Sequence, residues 1–173
     1  MNIDTKKRKF LDFSASATRE EISRCFATYR DYLESMRARL PSGAYSFAQA
    51  EWHYDVDDSR CPHDAWLEAL EIYEERIPDN TSQRHTRIKM QLLGAYHDGY
   101  ITLHHQDVSY YSLSKGPDPN PGTEAFNFHG DWLIDEVYLS DEGLVVHDIE
   151  FANSARWVIH CKDIEYVWER FES

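Results

Sequence analysis

Behind Thr18, apolar residues recur every three or four positions: Ile22, Cys25, Phe26, Tyr29, Leu33, Met36 and Leu40. That spacing lays one apolar stripe along a helix. Thr18-Arg19-Glu20-Glu21 fits a capping box, in which the Thr hydroxyl and the Glu carboxylate each satisfy an N–H group left open by the first turn. Pro41 and Gly43 break the pattern. The spacing predicts a helix over residues 19–39.

The next stretch, residues 44–64, has no clear period. Tyr45, Phe47 and Trp52 could anchor a strand or a helical turn, and residues 55–64 are rich in turn formers. Trp66, Leu67, Leu70, Ile72 and Tyr73 fit neither period cleanly. We read them as a strand because the segments that follow alternate. Ile88, Met90 and Leu92 interleave with Arg87, Lys89 and Gln91, and the run leads into Asp98-Gly99, a strong short-range hairpin signal. A two-residue turn there would set Tyr96 opposite Ile101 and Leu92 opposite His105. The returning strand takes Ile101 and Leu103, then Val108, Tyr110 and Leu113 after a kink.

From Gly130 to Trp168 the chain alternates again, interrupted at Ser140-Asp141-Glu142-Gly143 and at Ala152-Asn153-Ser154. This is the pattern of an antiparallel meander. If Leu139 and Leu144 flank a four-residue turn, Tyr138 faces Val145, Glu136 faces His147, Ile134 faces Ile149 and Trp132 faces Phe151. Pairing Phe151 with Ala155 then adds Trp157, Ile159 and Cys161 to the same face. The layout is α+β: one long N-terminal helix packed on a mostly antiparallel sheet of six or seven strands. At 173 residues and 42% hydrophobic content the chain reads as a single domain with a real core. Residues 1–12 read as a flexible arm, and residues 114–130, rich in Gly and Pro, as a long loop.

Charge narrows the function classes. The net charge is -13, although Lys6-Lys7-Arg8-Lys9 concentrates basic residues near the start. The remainder is more acidic still and repels phosphate backbones, which argues against nucleic acid and for a protein partner, a basic one above all. Cys25, Cys61 and Cys161 are odd in number and widely spaced, so neither a disulfide framework nor a zinc knuckle is indicated. No signal peptide and no long apolar run is evident, so the expectation is a cytoplasmic protein without a membrane association.

Candidate chemistry centres on Glu136 and His147, which the meander register places side by side in an apolar patch. They could form an acid–base pair in a sheet-lined pocket; a mutually satisfied polar pair is the simpler reading. His129-x-Asp131 could supply two metal ligands on one face but needs a third from elsewhere. His104 and His105 would point to opposite faces of a strand. Cys61-Pro62-His63-Asp64 is a turn with a core-facing Cys, since catalytic Cys and His meet in space and not along the chain. There is no Gly-x-Ser-x-Gly, P-loop or Gly-x-Gly-x-x-Gly, and no cofactor is implied. Among the aromatics, Trp132, Trp157, Trp168 and Tyr166 are candidates for a partner or ligand surface.

In composition and layout the chain is similar to bacterial immunity and adaptor proteins of toxin systems. That similarity implies a non-enzymatic protein-binding function, with an acidic surface, the 114–130 loop and nearby aromatics holding the partner. The alternative is a small-molecule binder or enzyme that uses Glu136 and His147.

Overall fold

The computed structural model describes residues 8–14, 16–77, 80–115 and 129–172. Helix α1 spans Arg19–Met36, and both halves of the Thr18–Glu21 capping box are formed. Of its apolar stripe, Tyr29 and Leu33 are fully buried. A second helix, α2 (Ser42–Ala48), has no counterpart in the expected layout; Pro41 stands at its N-cap, so the residue read as a stop for α1 also starts α2. Pro suits a helix start because its missing N–H would have no partner there.

Eight strands follow: β1 (Trp66–Ile77), β2 (Asn80–Leu93), β3 (Gly99–Gln106), β4 (Tyr110–Leu113), β5 (Trp132–Leu139), β6 (Val145–Phe151), β7 (Arg156–Cys161) and β8 (Asp163–Arg170). They form two four-stranded antiparallel sheets, ordered β1-β2-β3-β8 and β4-β7-β6-β5. The expected α+β class and antiparallel pairing hold. Among the described residues, the expectation of one helix on one sheet of six or seven strands is corrected to two helices and eight strands in two sheets around a shared apolar core. No helix is long and apolar enough to cross a membrane among the described residues.

The Asp98-Gly99 hairpin is present with a longer turn than two residues. Leu92 pairs with Ile101 and Leu93 with Tyr100, the Gly94 N–H donates to the Gly99 carbonyl, and His97 takes a positive φ of 55°. Tyr96 therefore lies in the turn, and Ile88, not Leu92, faces His105. Gly99 is packed under Trp168: a Cβ there would come within 2.5 Å of the indole ring.

The terminal meander differs from expectation by one residue. Leu139 pairs with Val145 rather than flanking the turn with Leu144, so the loop is Ser140–Leu144, with Gly143 at φ 80°. Val137 then faces His147, Glu136 faces Asp148, and Asp135 faces Ile149. A one-residue change in loop length moves every side chain of one strand to the other face. An irregularity between Trp132 and Ile134 restores the expected Trp132–Phe151 pair. Phe151 also bonds Ala155 as expected, and Trp157, Ile159 and Cys161 line up with Ile149, His147 and Val145.

Two sheet edges are closed by side chains and helices. Along β5, the Tyr29 hydroxyl accepts from the Val137 N–H at 2.7 Å and donates to the Val137 carbonyl at 3.0 Å. Tyr32 accepts from the Leu139 N–H, and Tyr54 donates to the Asp135 carbonyl. Three phenols thus stand where a further strand would pair, which blunts the edge. Against β8, the N–H groups of Gly43 and Ala44 at the start of α2 donate to the Asp163 carboxylate.

Candidate functional site

Glu136 and His147 do not meet. Because Glu136 pairs with Asp148 and His147 with Val137, they project from opposite faces of the second sheet. Each instead anchors a separate buried polar cluster.

His147 belongs to a chain of four buried groups that runs from the end of α2 through both sheets. The turn after α2 brings in His53, β5 brings Asp135, β6 brings His147, and β3 of the other sheet brings His105. All four are at most 1% exposed. The Asp135 carboxylate lies 3.0 Å from His53 Nε2 and 3.0 Å from His147 Nε2, and accepts from Trp132 Nε1 at 3.1 Å. His147 Nδ1 lies 2.8 Å from His105 Nε2. His53 Nδ1 lies 2.8 Å from the Phe47 carbonyl.

The Phe47 carbonyl can only accept, so His53 Nδ1 carries hydrogen, and Nε2 of the same ring faces the Asp135 carboxylate. Its ring packs between Phe47 at 4.3 Å and Tyr54 at 4.2 Å. His147 donates from Nε2 to Asp135, which leaves Nδ1 to accept from His105 Nε2. Burial alone would raise the pKa of Asp135, yet His53 and then His147 hold it well below the usual carboxylate range. Burial, with His147 adding to it, pushes His105 well below the usual imidazole range and keeps it neutral.

Glu136 is answered on the opposite face by backbone. The N–H of Lys9 donates to its Oε1, and those of Phe10 and Leu11 donate to its Oε2 at 2.9 Å. The segment that forms this cradle is pinned by Arg8, which donates to the Leu11 carbonyl and to Glu150. Residues 8–11 are thus part of the packed fold, while residues 1–7 of the expected arm lie outside the described residues, as do residues 116–128 of the expected loop. Burial raises the Glu136 carboxyl above its ordinary range despite these donors. Beside it, Asp148 is fully buried and held by both ends of the Arg156 guanidinium.

The other sequence candidates divide. Trp132 and Trp157 are sealed in the core at 0% and 1% exposure, away from any partner surface. Large rings fill the space between the sheets. Tyr166 is half-buried against Phe47 and Trp52 and donates to the Arg60 carbonyl; Trp168 is half-buried over Gly99. His129 packs edge-on against Trp157, and neither it nor Asp131 joins a cluster: no group of three His, Cys, Asp or Glu able to hold a metal occurs among the described residues. Cys61 is buried, donates to the His53 carbonyl, and its pKa is pushed up to about 11 by burial, so it is not a ready nucleophile.

Sequence reasoning missed His53, His105 and Asp135 as partners of His147. Asp135 was within reach, since a five-residue loop at Ser140–Leu144 puts it on the His147 face. His53 and His105 carry no local signal.

Among the surface clefts, one of about 770 Å³ lies between α1 and α2. It is lined by Asp31, Glu34, Glu51 and Asp55 with Tyr45 and Tyr54, and Arg30 is the cation in its wall. Another, of about 580 Å³, is bounded by Phe13, Phe26, Val56, Pro62 and Leu133; His53 and Asp135 of the buried cluster also line it, while Glu136 and His147 do not. No family model matches the sequence, and no curated protein is significantly similar to it.

Proposed function

We propose that this chain is a non-enzymatic protein-binding module of adaptor or immunity type, whose partner presents basic side chains to the cleft between α1 and α2. The observation that carries this reading is the composition of that cleft: among the described residues its lining holds four carboxylates and one guanidinium with Tyr45 and Tyr54, and Arg37 already pairs with Glu34 and lies over the Tyr45 ring as a partner's cation would. Carboxylates and phenols together hold Lys and Arg by charge and by contact with the ring faces. The overall charge of -13 would speed the encounter.

The test is affinity capture on the immobilised protein with stepwise salt elution, run beside an Asp31→Lys, Glu34→Lys, Glu51→Lys variant. The reading expects a basic protein that leaves the wild type as salt rises and that the variant does not retain. Equal retention by both proteins, or retention indifferent to salt, overturns it.

A second reading, a small-molecule binder, is favoured by the apolar cleft beside Phe13 and Leu133, whose size suits a small ligand. It does not involve a Glu136–His147 pair.

A further inference from the structure

The four sheet edges are unequal. Phenols close β5, α2 covers the start of β8, and β4 is only four residues long. Strand β1 is twelve residues long, and among the described residues its backbone pairs with β2 alone. Its Glu71–Arg76 stretch is exposed, and Ile72 and Tyr73 remain 41% and 45% accessible at its centre. A long bare strand carrying central apolar residues is a template for another strand.

We propose that the edge of β1 pairs antiparallel with the same edge of a second copy of this chain, about a two-fold axis through Ile72. The inference is independent of the function proposed above and uses a different surface.

The sequence of the strand selects that occupant and that register. The strand is irregular between Leu67 and Ala69 and between Arg76 and Ile77, so the regular part of the edge is Ala69–Arg76. With Ile72 opposite its own mate, Glu71 faces Tyr73, Leu70 faces Glu74 and Ala69 faces Glu75, so no acid meets an acid and the centre is aliphatic. Of the neighbouring registers, three set glutamate on glutamate: Glu71 on Glu74, Glu71 on itself, or Glu71 on Glu75. Like charges directly opposite destabilise a ladder, so these alternatives are penalised. The remaining acidity of the edge is already answered from β2, where Lys89 lies near Glu71, and Arg84 and Arg87 bond Glu74 and Glu75. A second acidic chain can therefore approach this edge, although the protein carries a net charge of -13. The result is one continuous sheet running β8-β3-β2-β1 and then the same order reversed in the mate, the self-complementary contact of a two-fold dimer.

Sedimentation equilibrium and site-directed cross-linking of the full chain test this. A concentration series should show a monomer–dimer equilibrium. Under mild oxidation, Ile72→Cys should give an order of magnitude more disulfide-linked dimer than Glu74→Cys. Directly opposed residues have Cα atoms about 4.5–5.5 Å apart, within disulfide range. The two copies of residue 74 would be offset by about 13 Å along the strand. Wild-type protein sets the background from Cys25, Cys61 and Cys161. Ile72→Lys should abolish dimer and leave the thermal midpoint of the monomer unchanged, since the side chain is exposed. A monomer at every concentration, equal cross-linking at positions 72 and 74, or a dimer that survives Ile72→Lys overturns the proposal.

Discussion

Asp135 and Glu136 are neighbours on one strand, both sealed from solvent, and they are stabilised in opposite ways. Asp135 faces the core between the sheets and is met by side chains drawn from distant parts of the chain, two imidazoles and an indole. Glu136 faces the other side and is met by peptide N–H groups of residues 9–11. One acid is held below its ordinary range, the other above it. His53 and His147 within hydrogen-bond reach outweigh burial at Asp135; three peptide N–H donors do not at Glu136. The two faces also differ in what they join: Asp135 ties the helix turn and both sheets together, whereas Glu136 fastens one terminal segment.

The largest disruption is expected at Asp135. Asp135→Ala leaves His53, His147 and Trp132 buried without their shared acceptor, and removing one partner of such a buried network costs about 3–5 kcal/mol. Urea unfolding followed by circular dichroism should show a loss of that size or no folded protein at all. A loss under about 1 kcal/mol would mean that the network does not hold the core together.

Glu136→Gln should cost about 1–3 kcal/mol, since an amide nitrogen would confront the N–H cradle. The sharper result is its pH dependence. The folded state of Asp135 has a depressed pKa, so its contribution is present above the unfolded value of about 3.9 and is lost as pH falls toward the folded one. Glu136 has a raised folded pKa, so its contribution is complete below the unfolded value of about 4.3 and is lost as pH rises through the folded one. The penalty of Asp135→Asn should therefore grow from about pH 3 to about pH 7, and that of Glu136→Gln should shrink, in parallel denaturation series. Slopes of the same sign would refute the contrast.

A smaller effect separates the two faces from the strand edge between them. Tyr29→Phe removes the hydroxyl that both accepts from and donates to Val137, at a cost of about 1–2 kcal/mol. Hydrogen exchange should speed up at the Val137 amide and hardly change at His147.

The sequence displayed whatever is local. The α1 capping box, the alternation of β2 and the face shared by Trp157, Ile159 and Cys161 were all legible, because each depends on spacing within one segment. Residues that depend on loop length were not. Ser140–Leu144 reads equally as a four- or five-residue connection, and that single residue decided whether His147 met Glu136 or shared a face with Asp135. The later irregularity at Trp132 hid the error, since it restored the expected contact with Phe151. His53 and His105 reach the site only through tertiary closure: no period marks the turn after α2, and a lone His on β3 looks like any other polar residue in an alternating strand. α2 itself is seven residues, too short for a stripe to announce it.

The phenols along β5 have a consequence for valence. A sheet that is open at both margins can recruit neighbours without limit, as fibres do, whereas one that is sealed at a margin can grow only from the other. Tyr29, Tyr32 and Tyr54 terminate one sheet as a chain stopper terminates a polymer. With α2 against the start of β8 in the other sheet, each sheet has one margin occupied by its own chain, so the same hydroxyls that hold α1 in place also limit the β5 sheet to growth from its β4 side.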